Sequence, residues 1–246
     1  MLAPLGRVHA EIQSRRAAYA VEVGILYQTL SFHLAGTIHE AVDRVAGRYD
    51  VRIVGEGVGI GNRVESSGVL RGARWAPVRT TAWFQVWGRE SRSEVAYDYD
   101  RRTIDYHFRG ETFFLRRLRA ADDSLSLSDS THVDDVISAV LNHADGRWRP
   151  RADGTLQTLV VRRQRREDEG PDDVERVYRA ELAPLVLKAT RDPGTGKPAA
   201  LFDLSRFSSW AMEGRPARVV FGFTGRPELI QSSLILGTSV TIRLDA

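Results

Sequence analysis

The chain has no cysteine, only two lysines and two methionines among 246 residues, and no long apolar run. Without cysteine there are no disulfides, no thiolate nucleophile and no cysteine-ligated zinc. Its absence does not fix the compartment, since exported proteins often lack cysteine too. No apolar stretch reaches the roughly 18 residues that a membrane-spanning helix needs, so no membrane span is expected. The scarcity of lysine leaves 33 arginines against 32 acidic residues, for a net charge of +3. Such a bias fits base composition. Arginine also pairs with carboxylates more rigidly than lysine does, which predicts many surface ion pairs. An apolar fraction of 42% is enough for a sizeable core.

Catalytic and metal-binding signatures are missing as well. His39-Glu40 lacks the second histidine of a zinc helix, so no metal site is expected. Gly194-Thr195-Gly196-Lys197 resembles the tail of a phosphate loop, but Arg191 stands where the first glycine belongs and Pro198 replaces the hydroxyl residue. No G-x-S-x-G elbow occurs. No catalytic residue, metal ligand or cofactor is therefore nominated, and an enzyme is the third reading. The basic runs Arg162-Arg163-Gln164-Arg165-Arg166 and Arg116-Arg117-Leu118-Arg119 are followed within a few residues by Glu167, Asp168 and Glu169 and by Asp122 and Asp123. Charges that cancel so locally make a poor nucleic-acid footprint. Both runs are expected in solvated loops, with 162–173 a hairpin tip whose charges lie in water.

What is present is two-residue alternation. Tyr19, Val21 and Val23 share a face opposite Glu22, and Tyr49, Val51 and Ile53 do so opposite Asp50 and Arg52. Val95, Tyr97 and Tyr99 alternate with Glu94 and Asp98, and Ile104, Tyr106 and Phe108 with Asp105, His107 and Arg109. The short link Asp100-Arg101-Arg102 makes these two runs a hairpin. Val240, Ile242 and Leu244 form a last half-apolar strand. Some runs are apolar on both sides: Ala82, Phe84 and Val86 against Trp83 and Trp87, and Val219, Phe221 and Phe223 against Val220. Strands of that kind lie centrally or line something on their second face. The alternate glycines Gly55, Gly57, Gly59 and Gly61 are read as strand curvature or close approach, not a dinucleotide fingerprint.

One segment departs from this pattern. Thr131-His132-Val133-Asp134 can form a capping box, and Val133, Val136, Ile137, Val140 and Leu141 follow at helical spacing until Gly146. A short helix with one apolar stripe must dock on the sheet, with Ser138 expected to point away. The fold class is mainly β: a single strongly curved antiparallel sheet or open barrel with one short amphipathic helix. Residues 15–246 are expected to form one domain. Residues 1–14 are expected to be a disordered terminus or the remnant of a signal peptide, with Val8-His9-Ala10 spaced as for cleavage.

Asp135-Val136-Ile137-Ser138-Ala139-Val140-Leu141 resembles the D-P-x-S-A-x-L segment of domain-of-unknown-function family 3108, a bacterial family of exported proteins, with Val136 in place of its proline. Tyr19-Ala20-Val21 with Gly24, Gly47-Arg48-Tyr49-Asp50-Val51, Ser67-Gly68 with Gly72 and Pro77, and Leu236-Gly237-Thr238 are similar to further motifs in the family's order. Gln231 stands where the family often has proline. The resemblance runs from about Tyr19 to Leu244. It implies export to the bacterial envelope and a curled sheet like that of lipocalins or lipoprotein carriers, and it carries no catalytic residue.

The leading expectation is a non-enzymatic, periplasmic or otherwise exported protein that binds an apolar or lipid-like molecule on the inner face of its sheet. Its candidate contacts are Trp83, Trp87, Tyr97, Tyr99, Tyr106, Phe108, Ile137 and Leu141. The same side chains also suit a plain core, and the sequence leaves both open. A structural module that meets another envelope protein through a sheet edge or apolar patch is the alternative.

Overall fold

The computed structural model describes residues 12–25, 27, 30–128, 131–166 and 168–245. Its strands are β1 (Ile12–Ile25), β2 (Leu30–Asp43), β3 (Arg48–Gly57), β4 (Ile60–Arg71), β5 (Arg74–Val86), β6 (Arg89–Asp98), β7 (Thr103–Glu111), β8 (Leu118–Ser126) and β9 (Val133–Asp134). After the helix α1 (Val136–Ala144) come β10 (Thr155–Arg163), β11 (Ala180–Arg191), β12 (Pro198–Phe202), β13 (Ala217–Phe221), β14 (Pro227–Ser233) and β15 (Ser239–Leu244). Strand β1 starts at Ile12, so residues 12–14 belong to the sheet and not to a tail, while residues 1–11 lie outside the described residues.

All fifteen strands form one sheet in the order β8-β7-β6-β5-β4-β3-β2-β1-β15-β14-β13-β12-β11-β10-β9. Every pair is antiparallel except β9 with β10. The predicted hairpin is β6–β7, with Val95 opposite Tyr106 and Tyr97 opposite Ile104. Asp98 fixes its turn by accepting from the backbone N–H groups of Asp100 and Arg101 at 3.0 and 2.8 Å. The apolar run Val219–Phe221 is buried on both faces, but the strand ends there, and Phe223 lies fully exposed in the following turn.

The sheet curls without closing. Its ends, β8 and β9, do not pair. Instead the inner faces of β6–β8 (Val95, Tyr97, Ile104, Tyr106, Ala121) pack on Leu159, Val161 and Leu182, which point outward from β10 and β11. The opposite faces of β10 and β11, carrying Leu156 and Leu187, turn inward to a second cluster with Ala139 of α1. One end of the sheet thus wraps over the other. The glycines permit close contact inside the curl: the Tyr19 ring lies where a Cβ on Gly36 or Gly55 would fall, which lets its hydroxyl donate to Asn62 Oδ1 at 2.6 Å. Gly59 serves differently, at φ +69° in the β3–β4 turn.

Helix α1 runs inside the curl, with walls on two sides. Ile137 and Leu141 meet Val42, Tyr49, Val51 and Trp75, while Ala139 meets Trp148, Ala200, Val219 and Phe221. Its start falls four residues after Thr131, the cap expected from the sequence. Val133 and Asp134 form β9, and Asp135 is the N-cap, accepting from Ser138 N at 2.6 Å while Ser138 Oγ accepts from Asp135 N at 3.0 Å. The predicted stripe is also rotated. Val136 is 71% exposed, whereas Ser138 and Asn142 are fully buried. Periodicity treats polar residues as outward-facing, and it cannot register that Asn142 is satisfied by the backbone N–H and C=O of Trp75, both at 2.8 Å.

At the other end of α1, Asp145 takes hydrogen bonds from Arg44 at 2.7 and 2.8 Å, from Trp75 Nε1 at 2.9 Å and from Arg147 at 3.2 Å. Burial alone raises a carboxyl, but these bonds outweigh it and hold Asp145 at about 2. Two predictions follow from the helix seat. Ile137→Asp and Ser138→Asp should each cost about 3 kcal/mol or more, as for a buried unpaired charge, while Val136→Asp in the first turn should stay within about 0.5 kcal/mol. Urea midpoints check this, and equal midpoints for the three would remove α1 from the interior. Because the folded pKa of Asp145 is depressed, its contribution is complete above pH 4 and lost as pH falls toward 2. Asp145→Asn should flatten that acid limb by on the order of 1–2 kcal/mol after solvent screening, measured as urea stability between pH 5 and 2.

Candidate functional site

A cavity of about 620 Å³ lies against the first turn of α1, bounded by the inner faces of β3–β7 and by β10. Ala82, Phe84 and Val86 of β5 and Val95 of β6 form much of its apolar wall. A smaller apolar cavity of about 250 Å³ lies on the other flank of the helix, between β1–β3 and β14–β15. Ile53, Val136 and Ile137 border both, so the helix start is the partition between them. On the lining of the smaller cavity Arg226 forks onto Glu40 at 2.5 and 2.6 Å, and Arg15 donates to the Asp245 carbonyl at 2.9 Å.

Of the eight candidate contacts, Tyr97, Tyr106, Phe108 and Ile137 line the larger cavity, and Ile137 and Leu141 line the smaller. The remaining three lie elsewhere. Trp83 alternates outward from Ala82 and Phe84 and sits on the outer face with Arg63, Glu94 and Arg109. Trp87 occupies a turn at φ +48°, where its ring meets Phe32 at 4.8 Å and Phe113 at 6.3 Å. Tyr99 stacks on Tyr97 at 6.4 Å, with the Arg71 guanidinium 5.0 Å above its ring, beyond the cavity. Strict alternation from Ala82 already places Trp83 on the solvent side.

The cavity floor is polar, and no local pattern in the chain announces it. Asp134 and Asp135 are adjacent and buried. Asp134 accepts from Thr158 Oγ1 at 2.6 Å, Asn142 Nδ2 at 2.9 Å, Arg74 Nη2 at 3.0 Å and Ser138 Oγ at 3.2 Å, and it lies 2.9 Å from His132 Nε2. Asp135 accepts from Ser66 Oγ and Thr80 Oγ1, each at 2.5 Å, besides Ser138 N. Ser66 also bonds the Tyr49 hydroxyl at 3.0 Å. So many donors hold both carboxylates in place. The pair locks α1 to β4, β5, β9 and β10.

At the mouth the arginine run departs furthest from expectation. Arg166, Asp168 and Asp173 are exposed as expected, but Arg162, Arg163, Arg165 and Glu169 are withdrawn from water. Glu169 is buried and receives Arg163 at 2.5 and 3.0 Å, with Arg119 at 3.5 Å. Arg119 also donates to the carbonyls of Gly170, Pro171 and Asp173. Arg165 donates to the carbonyls of Ser205 and Glu169, and burial lowers its guanidinium from the usual range. Arg162 forms a cross-strand ion pair with Glu181 and lies over the Phe207 ring at 5.6 Å. Arg162, Arg163 and Arg165, with Phe207 and Trp210, line the cavity.

Burial raises four tyrosines, of which Tyr97 and Tyr106 line the larger cavity. Tyr97 is pushed well up by burial and then by the charge of Asp135. Tyr49 rises for the same two reasons, and Tyr99 through burial and both aspartates. Tyr106 is pushed up to about 12 by burial, against the opposing pull of Arg163. A raised folded pKa on a group neutral in the fold stabilises below pH 10 and is lost as pH climbs through 12. Of seven tyrosines, these four should stay un-ionised in a 295-nm titration until the protein unfolds, whereas in urea they should titrate near pH 10. Free titration of all of them near pH 10 in the folded protein would contradict the buried placement.

No protein-family model matches the chain, and no curated protein sequence does. Among solved structures, the chain is similar to a β-barrel-like protein of domain-of-unknown-function family 1849 from Brucella abortus, at 9% identity and a TM-score of 0.40 over 96% of this chain and 98% of that one.

Proposed function

We propose that this chain is a non-enzymatic protein of the bacterial envelope that receives a lipid-like apolar ligand in the cavity beside α1. The observation that carries the reading is the cavity itself. Its volume of about 620 Å³ falls in the range of small-molecule sites, and its wall along β5 and β6 is apolar through Ala82, Phe84, Val86 and Val95, with charged groups elsewhere on the lining. Val136, an apolar side chain left exposed in the first turn of α1, faces this space and the smaller cavity. The support for export is the resemblance of its motifs to those of family 3108. One of those, the D-x-x-S segment, has a physical role here as the Asp135–Ser138 capping box.

A second reading, docking of another envelope protein, is favoured by one feature. Phe114, Leu115 and Leu118 are more than half exposed in and beside the β7–β8 loop, where Phe113 and Phe114 pack with Trp210. Contiguous exposed apolar groups mark interaction sites.

Titration with an apolar fluorescent probe separates the two. Ala82 lines the cavity and Trp83 points outward. Ala82→Phe should weaken probe binding at least tenfold with an unchanged melting temperature, and Trp83→Ala should leave affinity alone. An absence of saturable binding, or an Ala82→Phe protein that binds like the wild type, would favour docking instead.

A further inference from the structure

We infer that the mouth of the larger cavity recognises an anionic head group, so that its ligand is an amphiphile with an acidic head at Arg162 and Arg165 and an apolar tail in the lumen. This rests on the cavity being a ligand site and adds the chemistry of its open end.

Most charges that line the cavity have partners within the protein, Arg89 among them, which donates to the carbonyls of Phe113 and Trp87. Asp134 and Asp135 lie at the floor and are saturated with donors from the protein. Glu90 and Glu111, also on the lining, pair away from it with Arg92 at 2.8 Å and Arg116 at 3.5 Å. The guanidinium groups of Arg119, Arg162, Arg163 and Arg165 gather at the other end around two carboxylates, Glu169 and Glu181. Glu169 is used up by Arg163 and Arg119. Glu181 meets one nitrogen of Arg162, in an ion pair that lacks hydrogen-bond alignment.

Three donors are left over. Arg162 Nε, Arg162 Nη1 and Arg165 Nε are shielded from solvent and have no hydrogen-bond partner among the described residues. Guanidinium groups stay protonated, so these donors cannot be silenced by losing a proton. A buried charged donor without an acceptor is unfavourable, and proteins seldom leave one unless something else supplies the acceptor. A carboxylate or phosphate oxygen fits that need, and two neighbouring guanidinium groups suit its several lone pairs. Ser208 and Ser209 add hydroxyls at the same rim, beside Phe207 beneath Arg162. From there the lining turns apolar through Val160, Val161 and Phe108 toward Ile137, which gives the tail its path.

The test is displacement of the apolar probe from the full chain by dodecanoate, dodecyl phosphate, dodecanol and acetate. Both anionic amphiphiles should compete at least tenfold more tightly than dodecanol, and acetate should compete weakly for want of a tail. Whichever of the two binds tighter identifies the head. Arg162→Gln and Arg165→Gln should each remove most of the acid-over-alcohol preference while dodecanol affinity stays put, and Arg165→Gln should also melt earlier because its bonds to the Ser205 and Glu169 carbonyls are weakened. If a glutamine variant melts early, Arg162→Lys, which keeps the charge but not the fork, should retain part of the preference. Equal competition by acid and alcohol in the wild type, or a preference that survives both glutamine variants, would overturn the inference and leave the lumenal site standing. Failure of the probe itself to bind would sink the site and this inference together.

Discussion

Two neighbouring carboxylates in the middle of the curl, Asp134 and Asp135, depend on donors that the chain can supply only when the curl is complete. Their partners Ser66, Arg74, Thr80, Asn142 and Thr158 come from β4, β5, α1 and β10. Burying an ionised carboxylate without partners costs several kcal/mol, so a register that misplaced any of these strands would leave a charge stranded. The network therefore acts on specificity more than on net stability: apolar clusters tolerate sliding, but a set of aimed donors does not. It also seats the helix. Nine residues are too few to hold a helix in water, and α1 persists because Asp135 caps it, Asn142 grips Trp75 and Asp145 is held by Arg44.

Fixing a helix by its polar side has a consequence for the space around it. Ile137 and Leu141 fill one wall and Ala139 the other, while Val136 is turned toward open volume. A slim nine-residue plug cannot fill the interior of a fifteen-stranded curl, and the unfilled remainder is the pair of cavities that meet at Ile53, Val136 and Ile137. The cavities thus follow from how the helix is anchored. The same anchoring keeps Asp134 and Asp135 saturated, while on the lining of the larger cavity the unpartnered guanidinium donors are those of Arg162 and Arg165.

How much of this was legible in the sequence depended on how far apart the interacting residues lie. Alternation located the inner face of β1, β3, β6, β7 and β15, and the β6–β7 hairpin could be read from its polar link, because these patterns are local. The open curled sheet and its single helix were legible too. The helix start was missed by four residues because Thr131 and Asp135 are both plausible caps, and only the pairing of β9 with β10 decides between them. The Asp134–Asp135 network was out of reach: Ser66 and Asp135 are 69 positions apart. The arginine-rich stretch misled for a different reason. Charges that cancel along the chain look the same whether they pair in water or under a lid, and what buries Glu169 includes Arg119, some fifty residues earlier. The flanking Val160, Val161 and Tyr178 were the sole local hint of an interior position.

The curl is held shut by something weaker than the sheet that forms it. Between neighbouring strands there is a backbone ladder, but where β6–β8 lap over β10 and β11 there is an apolar contact reinforced by Asp123, which accepts from Ala180 N at 2.9 Å and pairs with Arg179. Parting that overlap would break side-chain contacts and few backbone hydrogen bonds, so the lowest-cost opening of the molecule should lie along it. Tyr97, Tyr106 and Phe108 stand on the overlapping strands and Val161 and Arg163 on the strand beneath, and all five also border the larger cavity. An unclosed sheet in this arrangement differs in kind from a sealed barrel. A barrel can admit a large guest only through its ends, whereas here one wall of the cavity is a lap held by side chains and not by a backbone ladder.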